Sequence, residues 1–341
     1  MDETMKAIGF LQNLPIADEK SLFEFETKKP KATGHDLLVK IEAIAVNPID
    51  VSIRKSATKK LKNPRIIGWD ALGVVEGCGE EATLFKRGER VFYAGAVNRP
   101  GCNADYQLVD ERLVGHAPQK LSIVQSAAMP LTSLTAWESL FEKLGINPDA
   151  QINKGKTILI INGAGGVGSI ATQLAHWAGL QVIATASRPE TVKWTLEHGA
   201  DEVLNHHKNL TEELRKAGHQ SVDYILGLND IDGHWKEMAE MIKPQGKIVS
   251  ITGNKQPLDL GLLKPKSATF SWEWMYTKSF YQLSNMITQH ETLEKISALL
   301  DEGVLKSTVT KVFEPLNAAN LRQAHKMIET NRTIGKIVIR K

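Results

Sequence analysis

The chain has 341 residues, of which 42% are hydrophobic, and this length and apolar content favour two globular domains over a disordered chain. Its 42 basic and 39 acidic residues give a formal net charge of +3 without long blocks of one sign, so neither nucleic acid nor a membrane surface is expected as a partner. The two cysteines, Cys78 and Cys102, are too few for a disulfide framework and suit a reducing cytoplasm. Because no 18 apolar residues run together and residues 1–6 are polar, we expect a cytoplasmic protein that acts on a small molecule.

The first third of the chain has the pattern of β-structure. Short apolar and β-branched runs alternate with Gly, Pro and Asn at residues 37–41, 72–75, 90–93 and 106–109. This spacing predicts an antiparallel β domain. Near Ser126 the pattern becomes helical, and the helical stretch closes at Gly145, which places a domain boundary in this region.

Beyond Gly155, predicted strands and helices alternate. Apolar strands are predicted at residues 157–161, 181–186, 202–205, 222–226 and 246–251, with a sixth candidate at 268–274. Such alternation predicts a parallel sheet covered by helices on both faces. The pattern continues with a helix at 281–300, a strand at 307–313, a helix at 318–329 and a strand at 336–340. We therefore predict an α/β protein in which residues 1–125 and 304–341 form one domain around an inserted domain of residues 126–303.

A glycine-rich loop joins the first strand of the inserted domain to its first helix. Gly163, Gly165 and Gly168 form a Gly-x-Gly-x-x-Gly motif that follows an apolar strand and opens a helix. In this setting the first glycine permits a tight turn, the second lets a pyrophosphate approach the backbone, and the third lets the helix pack on the strand. The first-turn N–H groups, those of Gly166 and Val167 included, attract phosphate. The motif predicts a dinucleotide-binding site.

The end of the next strand indicates which dinucleotide binds. An acidic residue about 20 positions past the loop binds the ribose of NAD, whereas this chain has Ser187 and Arg188 there. A hydroxyl and a guanidinium can bind a 2′-phosphate that a carboxylate would repel. NADPH is therefore the predicted cofactor, with Lys193 as a further candidate contact. The alternative is a surface Arg188 beside Glu190 with no ligand.

The order of these elements and motifs resembles the medium-chain dehydrogenase/reductase superfamily over essentially the whole chain. The motifs that carry the resemblance are the glycine loop and residues 46–50 (VNPID), 65–70 (RIIGWD), 128–137 (AMPLTSLTAW) and 335–339 (GKIVI). Within the superfamily the chain is most similar to the zeta-crystallin-like quinone oxidoreductase branch and to a bacterial group labelled zinc-type alcohol dehydrogenase-like. The resemblance implies a GroES-like, β-rich catalytic domain and a Rossmann cofactor domain with a doubly wound parallel sheet.

The residues at the zinc-ligand positions of zinc-bearing relatives do not suit zinc. By resemblance, Asn47 stands where those relatives have a cysteine, and Trp69 stands where they have a histidine. An indole nitrogen only donates hydrogen bonds, and a carboxamide is a poor substitute for a thiolate. The four closely spaced cysteines of a structural zinc lobe are missing from the sequence as well. We expect no metal cofactor.

The missing ligands bear on the reaction. Without a Lewis acid, the negative charge on the oxygen of a simple carbonyl or alcohol loses its main electrostatic stabilisation. A quinone or an enal instead spreads this charge by resonance. We expect an NADPH-dependent, zinc-independent oxidoreductase that transfers hydride to quinones or α,β-unsaturated carbonyls, as the resemblance also implies. A zinc-type alcohol or aldehyde dehydrogenase and a non-catalytic NADPH-binding protein remain as alternatives.

The resemblance also implies roles for individual residues. Asn47 is the candidate catalytic residue, because its loop lines the nicotinamide end of the cleft in relatives and a carboxamide N–H can donate to an oxyanion. Its alternative role is that of a turn residue before Pro48. Thr132 and Thr135 are candidates for contact with the nicotinamide carboxamide, with helix capping as the alternative for Thr132. Trp69 is expected to wall the substrate pocket.

The aromatic run at residues 270–276 (FSWEWMY) alternates like a strand. It either lines a flat substrate or is buried at a sheet edge or subunit contact. Because relatives dimerise by pairing such strand edges, the resemblance implies a homodimer. Many relatives carry a tyrosine shortly after the Asn-Pro motif, where this chain has Val51, Ser52 and Ile53, so we assign no tyrosine proton donor from the sequence.

Overall fold

The computed structural model describes residues 3–341. Its strands, in chain order, are β1 Thr4–Phe10, β2 Phe23–Lys28, β3 Asp36–Val46, β4 Arg65–Ile66, β5 Asp70–Cys78, β6 Arg90–Tyr93, β7 Tyr106–Asp110, β8 Val114–His116, β9 Thr157–Ile161, β10 Gln181–Thr185, β11 Glu202–Leu204, β12 Val222–Gly227, β13 Ile242–Ser250, β14 Thr269–Trp272, β15 Val309–Phe313 and β16 Lys336–Arg340. Its α-helices are α1 Pro48–Ser56, α2 Ile123–Ala127, α3 Pro130–Trp137, α4 Gly166–Trp177, α5 Pro189–Glu197, α6 Leu210–Lys216, α7 Ile231–Met241, α8 Thr277–Phe280, α9 Thr288–Asp301 and α10 Ala318–Glu329. A π-helical segment, Glu138–Lys143, continues α3.

The chain divides into two compact units, Met1–Leu134 with Tyr276–Lys341 and Thr135–Met275. The first unit is β-rich. Its larger sheet has the strand order β15-β16-β3-β5-β6-β8, with β7 also paired to β3, and its smaller sheet has the order β2-β1-β4. All of these pairs are antiparallel except β15 with β16, which is parallel. The predicted antiparallel β domain is therefore confirmed, with one parallel pair near the end of the chain.

The second unit is a doubly wound parallel sheet. Its strand order is β11-β10-β9-β12-β13-β14, and every neighbouring pair is parallel. The strand of this unit that comes first in the sequence, β9, lies in the middle of the sheet, so the strand order reverses on either side of it. Ligands of such sheets bind at this switch point, at the carboxyl ends of the strands. The predicted Rossmann arrangement is confirmed, and helices packed on the sheet bury apolar side chains such as those of Leu159, Ile225 and Trp235.

Most predicted elements have the observed bounds or differ by a few residues. The strands β6, β9 and β16 and the helix α10 begin and end where the patterns predicted. The helix predicted at residues 281–300 is an exception, because only α9 at Thr288–Asp301 forms over this stretch and Gln282 adopts a left-handed backbone with φ of 50°. Within residues 3–341, none of the helices combines the length and the apolar composition that crossing a bilayer requires.

Candidate functional site

The glycine-rich loop lies between β9 and α4, at the switch point of the parallel sheet. All five residues of β9 are buried, and α4 begins at Gly166 with Gly165 as its N-cap residue. No side chain caps this helix, and the N–H groups of Gly166, Val167 and Gly168 have no acceptor within the helix itself. These donors, together with the helix dipole, suit an anionic group such as a pyrophosphate.

Close packing requires two of the three motif glycines. A Cβ on Gly168 would lie 2.2 Å from the carbonyl oxygen of Asn162, and a Cβ on Gly163 would lie 2.9 Å from Cβ of Ala184. The nearest atom to a Cβ on Gly165 would be the side-chain amide nitrogen of Asn162, 3.0 Å away. Because that amide group can move, packing alone does not dictate Gly165. Its bare backbone suits the close approach of a phosphate, so the loop fits a dinucleotide.

Ser187 and Arg188 follow β10, which neighbours β9 in the sheet. Arg188 is the N-cap residue of α5, and its Nη1 lies 3.4 Å from Oε1 of Glu190. Both Ser187 and Arg188 thus lie at the carboxyl edge of the sheet, where the glycine loop also leaves. Lys193 lies further along α5, where its side chain is 77% exposed and pairs with Glu197 at 3.8 Å. The first two residues are better placed for a ligand at this edge than Lys193.

A chain of hydrogen bonds joins the loops that follow β9 and β11. The Asn162 N–H donates to Oγ1 of Thr185, the last residue of β10, at 2.9 Å. The same hydroxyl lies 3.1 Å from Nδ1 of His206, which follows β11. Burial lowers the pKa of His206, with smaller effects from His207 and His234. In the sequence, the strand-end position of His206 and His207 favours a surface role or a role on the adenine side of the cofactor over zinc binding, and His206 lies beside the glycine loop.

In the β-rich unit, three strand ends bring Asn47, Asp70 and Lys336 together. Asn47 follows β3, Asp70 begins β5 and Lys336 begins β16, and β3 pairs with both of the other strands. The Lys336 ammonium donates to Oδ1 of Asn47 and, at 2.9 Å, to Oδ2 of Asp70. The exposed fractions of the three residues are 2%, 0% and 3%, respectively. We call these three residues the buried polar cluster.

The side chain of Asn47 is fully engaged inside the protein. Its Nδ2 donates to Oδ2 of Asp70 at 3.1 Å and to the carbonyl of Ala45 at 3.2 Å. Asn47 is also the N-cap residue of α1, and its backbone N–H donates to Oδ2 of Asp50 at 2.8 Å. It therefore has the turn role that the sequence left open, and it belongs to a buried polar cluster as well. A hydrogen bond from Asn47 to a substrate oxygen would require release of Asp70 or Ala45.

Asp50 is a second buried carboxyl group beside the cluster. Its Oδ2 accepts the Asn47 N–H, and its Oδ1 has no hydrogen-bond partner among residues 3–341. Burial raises the pKa of Asp50 to about 7, although the Asn47 hydrogen bond and the charge of Lys336 oppose the shift. Near neutral pH a large share of the molecules therefore hold a proton on Asp50, which keeps the net charge of this region close to zero.

Trp69 is completely buried. Its indole N–H donates to the carbonyl of Arg99 at 3.0 Å, and its ring packs edge-on against Tyr276 with 6.5 Å between ring centroids. Burial, followed by the charges of Asp50 and Asp70, raises the pKa of the Tyr276 phenol well above its ordinary value. A tyrosine from a distant part of the chain thus lies beside Trp69. The sequence places Tyr276 in the aromatic run that either lines a flat substrate or is buried, but its position beside Trp69 was not predicted, because only the residues after the Asn-Pro motif were considered for a tyrosine at the site.

The side chains at these positions do not fit a zinc ion. The Trp69 nitrogen is a donor held by Arg99, and Oδ1 of Asn47 accepts from the Lys336 ammonium. In the part of the chain that the structure describes, no three His, Cys, Asp or Glu side chains are grouped to hold a metal ion. The Lys336 ammonium therefore contacts Asn47, the residue that by the resemblance stands at the first ligand position of zinc-bearing relatives.

Thr132 and Thr135 lie within α3. Because α3 begins at Pro130, the helix-capping alternative for Thr132 is wrong, and its Oγ1 donates instead to the carbonyl of Met129 at 3.3 Å. The two threonines are 2% and 5% exposed. A spacing of three residues puts them on the same side of the helix.

Comparisons with known proteins agree with this architecture. Residues 33–119 match the family model described as an alcohol dehydrogenase GroES-like domain, and residues 198–339 match the one described as a zinc-binding dehydrogenase. A solved structure of a candidate zinc-dependent alcohol dehydrogenase from Rhizobium etli CFN 42 is 41% identical, covers 100% of this chain and 99% of its own, and superposes with a TM-score of 0.94.

Curated relatives point to the same superfamily. A zinc-type alcohol dehydrogenase-like protein of Staphylococcus epidermidis is 43% identical over 335 residues, which cover 98% of this chain and 99% of the relative. The quinone oxidoreductase of Homo sapiens is 34% identical over 200 residues, or 58% of each chain. Together with the β-rich unit and the Rossmann unit, these matches show that the chain belongs to the medium-chain dehydrogenase/reductase superfamily of oxidoreductases, with zinc-type alcohol dehydrogenase-like and quinone oxidoreductase proteins among its relatives.

Proposed function

We propose that this protein is an NADPH-dependent, zinc-independent oxidoreductase that transfers hydride to quinones or α,β-unsaturated carbonyls. The observation that carries the proposal is the set of side chains at Asn47, Trp69 and Asp70, with the Lys336 ammonium bound to two of them. This set includes one ammonium group, and in the part of the chain that the structure describes no three metal-binding side chains are grouped for a Lewis-acid metal. The human relative that is named a quinone oxidoreductase supports the acceptor class.

The acceptor class follows from where negative charge develops. Hydride addition to a saturated aldehyde leaves the charge on a single oxygen, which calls for strong polarisation by a metal or an acid. In a quinone or an enone the charge spreads through the conjugated system, so hydrogen bonds and one fixed cation are enough. The nicotinamide of a bound cofactor supplies the hydride, and the protein supplies orientation and charge stabilisation.

The choice of NADPH rests on Ser187 and Arg188. The carboxylate near them, that of Glu190, is 57% exposed and only pairs with Arg188 at 3.4 Å. Because exposed ion pairs contribute about 0–1 kcal/mol, Glu190 does not prevent Arg188 from binding a 2′-phosphate. Lys193 is a weaker candidate for the same phosphate, since its side chain is mostly in solvent and already pairs with Glu197.

The remaining cofactor contacts follow from the loop and the helices. The N–H groups of Gly166, Val167 and Gly168 would bind the pyrophosphate at the start of α4. Thr132 and Thr135 remain candidates for contact with the nicotinamide carboxamide, on the family resemblance and on their shared side of α3.

The proposal can be tested by following NADPH consumption by the chelator-treated protein. A quinone, an enal and a saturated aldehyde are run side by side, each with NADPH and with NADH. We expect turnover on the conjugated acceptors alone, with a preference for NADPH. Aldehyde turnover that disappears on chelation and returns with zinc would show that the zinc-type alcohol dehydrogenase alternative is correct. Cofactor binding without turnover on any acceptor would favour a non-catalytic protein.

We also propose that the protein forms a homodimer through β14. This strand lies at the edge of the parallel sheet, and β13 is its one partner in the part of the chain that the structure describes. Trp272 and Trp274, at its end, are 44% and 41% exposed. An edge strand with exposed aromatic residues favours pairing with a second copy of the same edge. Light scattering at micromolar concentration should give the mass of a dimer, and Trp272→Lys should shift that mass toward the monomer.

We place the protein in the cytoplasm. Cys78 and Cys102 are both free thiols, one exposed and one buried, and they do not form a disulfide with each other. Free thiols of this kind are stable where glutathione keeps cysteines reduced, and fractionation of the source cells would test the assignment.

A further inference from the structure

We propose that Lys336 is the fixed cation of the acceptor site, and that its ammonium binds the substrate oxygen on which negative charge develops. In zinc-bearing relatives a metal ion supplies that charge. This inference rests on the function proposed above and adds to it the group that stabilises the reduced acceptor. Sequence reasoning instead chose Asn47 for the contact with the oxygen.

The hydrogen bonds of the buried polar cluster distinguish the two candidates. Asn47 has two amide hydrogens, and Asp70 and Ala45 accept them both. The ammonium of Lys336 has three hydrogens, and the residues that the structure describes provide two acceptors, Oδ1 of Asn47 and Oδ2 of Asp70. One hydrogen of Lys336 therefore has no acceptor among these residues, whereas both amide hydrogens of Asn47 are taken.

The position of the ammonium also matches the role of a metal ion. Its contact with Asn47 is made to Oδ1, and by the family resemblance Asn47 stands at the first ligand position of zinc-bearing relatives. Asn47 thus acts as a positioning residue, because its carboxamide oxygen orients the ammonium. Lys336 is only 3% exposed, and a charge in such a low-dielectric place acts more strongly on a neighbouring oxygen than it would in water.

The carboxylate of Asp70 leaves the pair with little net charge, so the ammonium acts on a substrate oxygen only in direct contact with it. Its Oδ1 accepts the backbone N–H of Leu131 at 3.1 Å, and its Oδ2 accepts from both Asn47 and Lys336. The negative charge is therefore shared among three donors that hold it in place, and the ammonium is the positive end of a fixed dipole. Since a buried ion pair is often no more stable than an apolar replacement, stability alone is a weak reason for this arrangement.

The reaction step balances with NADPH as the reductant and water as the source of the proton. The β-carbon of an α,β-unsaturated carbonyl gains a hydride as NADPH is oxidised to NADP⁺, and the electron pair of the C=C bond moves through the conjugated system onto the carbonyl oxygen. A Lys336 N–H donates a hydrogen bond to that oxygen. A proton from water then completes the α-carbon, and the carbonyl forms again. Lys336 remains an ammonium throughout.

Three variants of the protein test this role. Lys336→Met removes the cation, Lys336→Arg keeps it, and the double variant Lys336→Met with Asp70→Asn removes both charges and leaves no unpaired ion. Lys29→Met is the matched control, because Lys29 pairs with Glu76 at 2.7 Å in the same unit with a side chain 9% exposed. Turnover of an enone with saturating NADPH and the unfolding temperature are measured for each.

We expect kcat to fall by about 100-fold or more in Lys336→Met, as on removal of one oxyanion donor, with the Kd of NADPH unchanged. Lys336→Arg should retain a measurable part of kcat, and Lys29→Met should match the wild type. The double variant should regain the unfolding temperature but not kcat. If the double variant regains both, Lys336 has a structural role only and the inference is wrong. If the wild type reduces no conjugated acceptor, the proposed function itself fails, which is a distinct result.

Discussion

Lys336 and Asp70 form an ion pair inside the β-rich unit, with 2.9 Å between Nζ and Oδ2 and side chains that are 3% and 0% exposed. They are 266 residues apart in the chain, so the pair joins β5 to the final strand. Removal of one partner of a buried pair leaves an uncompensated charge, which destabilises a protein by about 3–5 kcal/mol. The pair thus ties the stability of this unit to the residues of the candidate site.

We therefore expect Asp70→Ala to lower the free energy of unfolding by about 3–5 kcal/mol, because the Lys336 ammonium would remain buried without its carboxylate. Urea unfolding followed by fluorescence measures the change. Glu314→Ala is the control, since Glu314 lies 3.8 Å from Nη1 of Arg340 in the same unit and both side chains are at least half exposed. That variant should lose no more than about 1 kcal/mol. Equal losses in the two variants would show that burial of the Lys336 pair has no special effect.

We expect Arg188 to determine the preference for NADPH over NADH. Arg188→Ala should raise the KM for NADPH severalfold or more and leave the KM for NADH nearly unchanged, because only NADPH carries the 2′-phosphate. Steady-state kinetics with each cofactor measure both values. Arg215→Ala is a suitable control, since Arg215 is 51% exposed and pairs with Glu240 at 2.8 Å. Equal effects of Arg188→Ala on the two cofactors would rule out the assignment.

Gly168 is expected to tolerate no side chain. A methyl group there would lie 2.2 Å from the carbonyl oxygen of Asn162, so Gly168→Ala should force β9 and α4 apart. Overpacking of this kind destabilises by about 1–3 kcal/mol or more, and it should also weaken NADPH binding at the start of α4. Thermal unfolding and NADPH titration measure the two effects. Gly253→Ala should change neither, because a Cβ at Gly253 would meet no atom within 4 Å.

Local patterns in the sequence are sufficient to predict most of the secondary structure and the dinucleotide loop. The apolar strand β9, the glycines at 163, 165 and 168 and the apolar face of α4 lie within about 20 consecutive residues. Their spacing is therefore enough to predict both the local structure and a dinucleotide-binding role. The same holds for the strand at Lys336–Arg340, whose bounds were predicted correctly.

The buried polar cluster could not be predicted in this way. Lys336 and Asn47 are 289 residues apart, and they meet because β16 pairs with β3 in one particular register. A hydrophobic pattern predicts a strand but does not say which strand it pairs with. The position of Tyr276 beside Trp69 also depends on the three-dimensional fold. The buried polar cluster could therefore be identified only from the structure, whereas the glycine loop could be predicted from the sequence.

From the burial of His325 we predict how the stability of the protein depends on pH. This residue of α10 is completely buried, and neither ring nitrogen has a hydrogen-bond partner among residues 3–341. Burial, followed by the positive charges of Arg54 and Lys55, lowers the pKa of His325 from 6.5 to about 3. Glu329, on the same helix, forms ion pairs with Arg54 and Lys55. The pKa of His325 stays low despite this negative charge.

The sign of the effect follows from proton uptake. Below pH 6.5 the unfolded chain binds a proton at His325 that the folded protein does not bind until about pH 3, so acid favours unfolding. At 1.36 kcal/mol per pKa unit, the wild type should lose about 3 kcal/mol from this residue between pH 6.5 and pH 4. His325→Leu, an apolar replacement of similar size, should remove this part of the pH dependence.

Urea unfolding of the wild type and of His325→Leu at a series of pH values from 4 to 7.5 measures the difference. The two free-energy curves should diverge as the pH falls, with the variant the more stable at pH 4. His176→Leu is the control, because His176 is an exposed histidine on α4. Its curve should stay parallel to that of the wild type. Parallel curves for His325→Leu as well would mean that the folded protein protonates His325 near its ordinary pKa, through a rearrangement that exposes the ring or gives it a carboxylate partner.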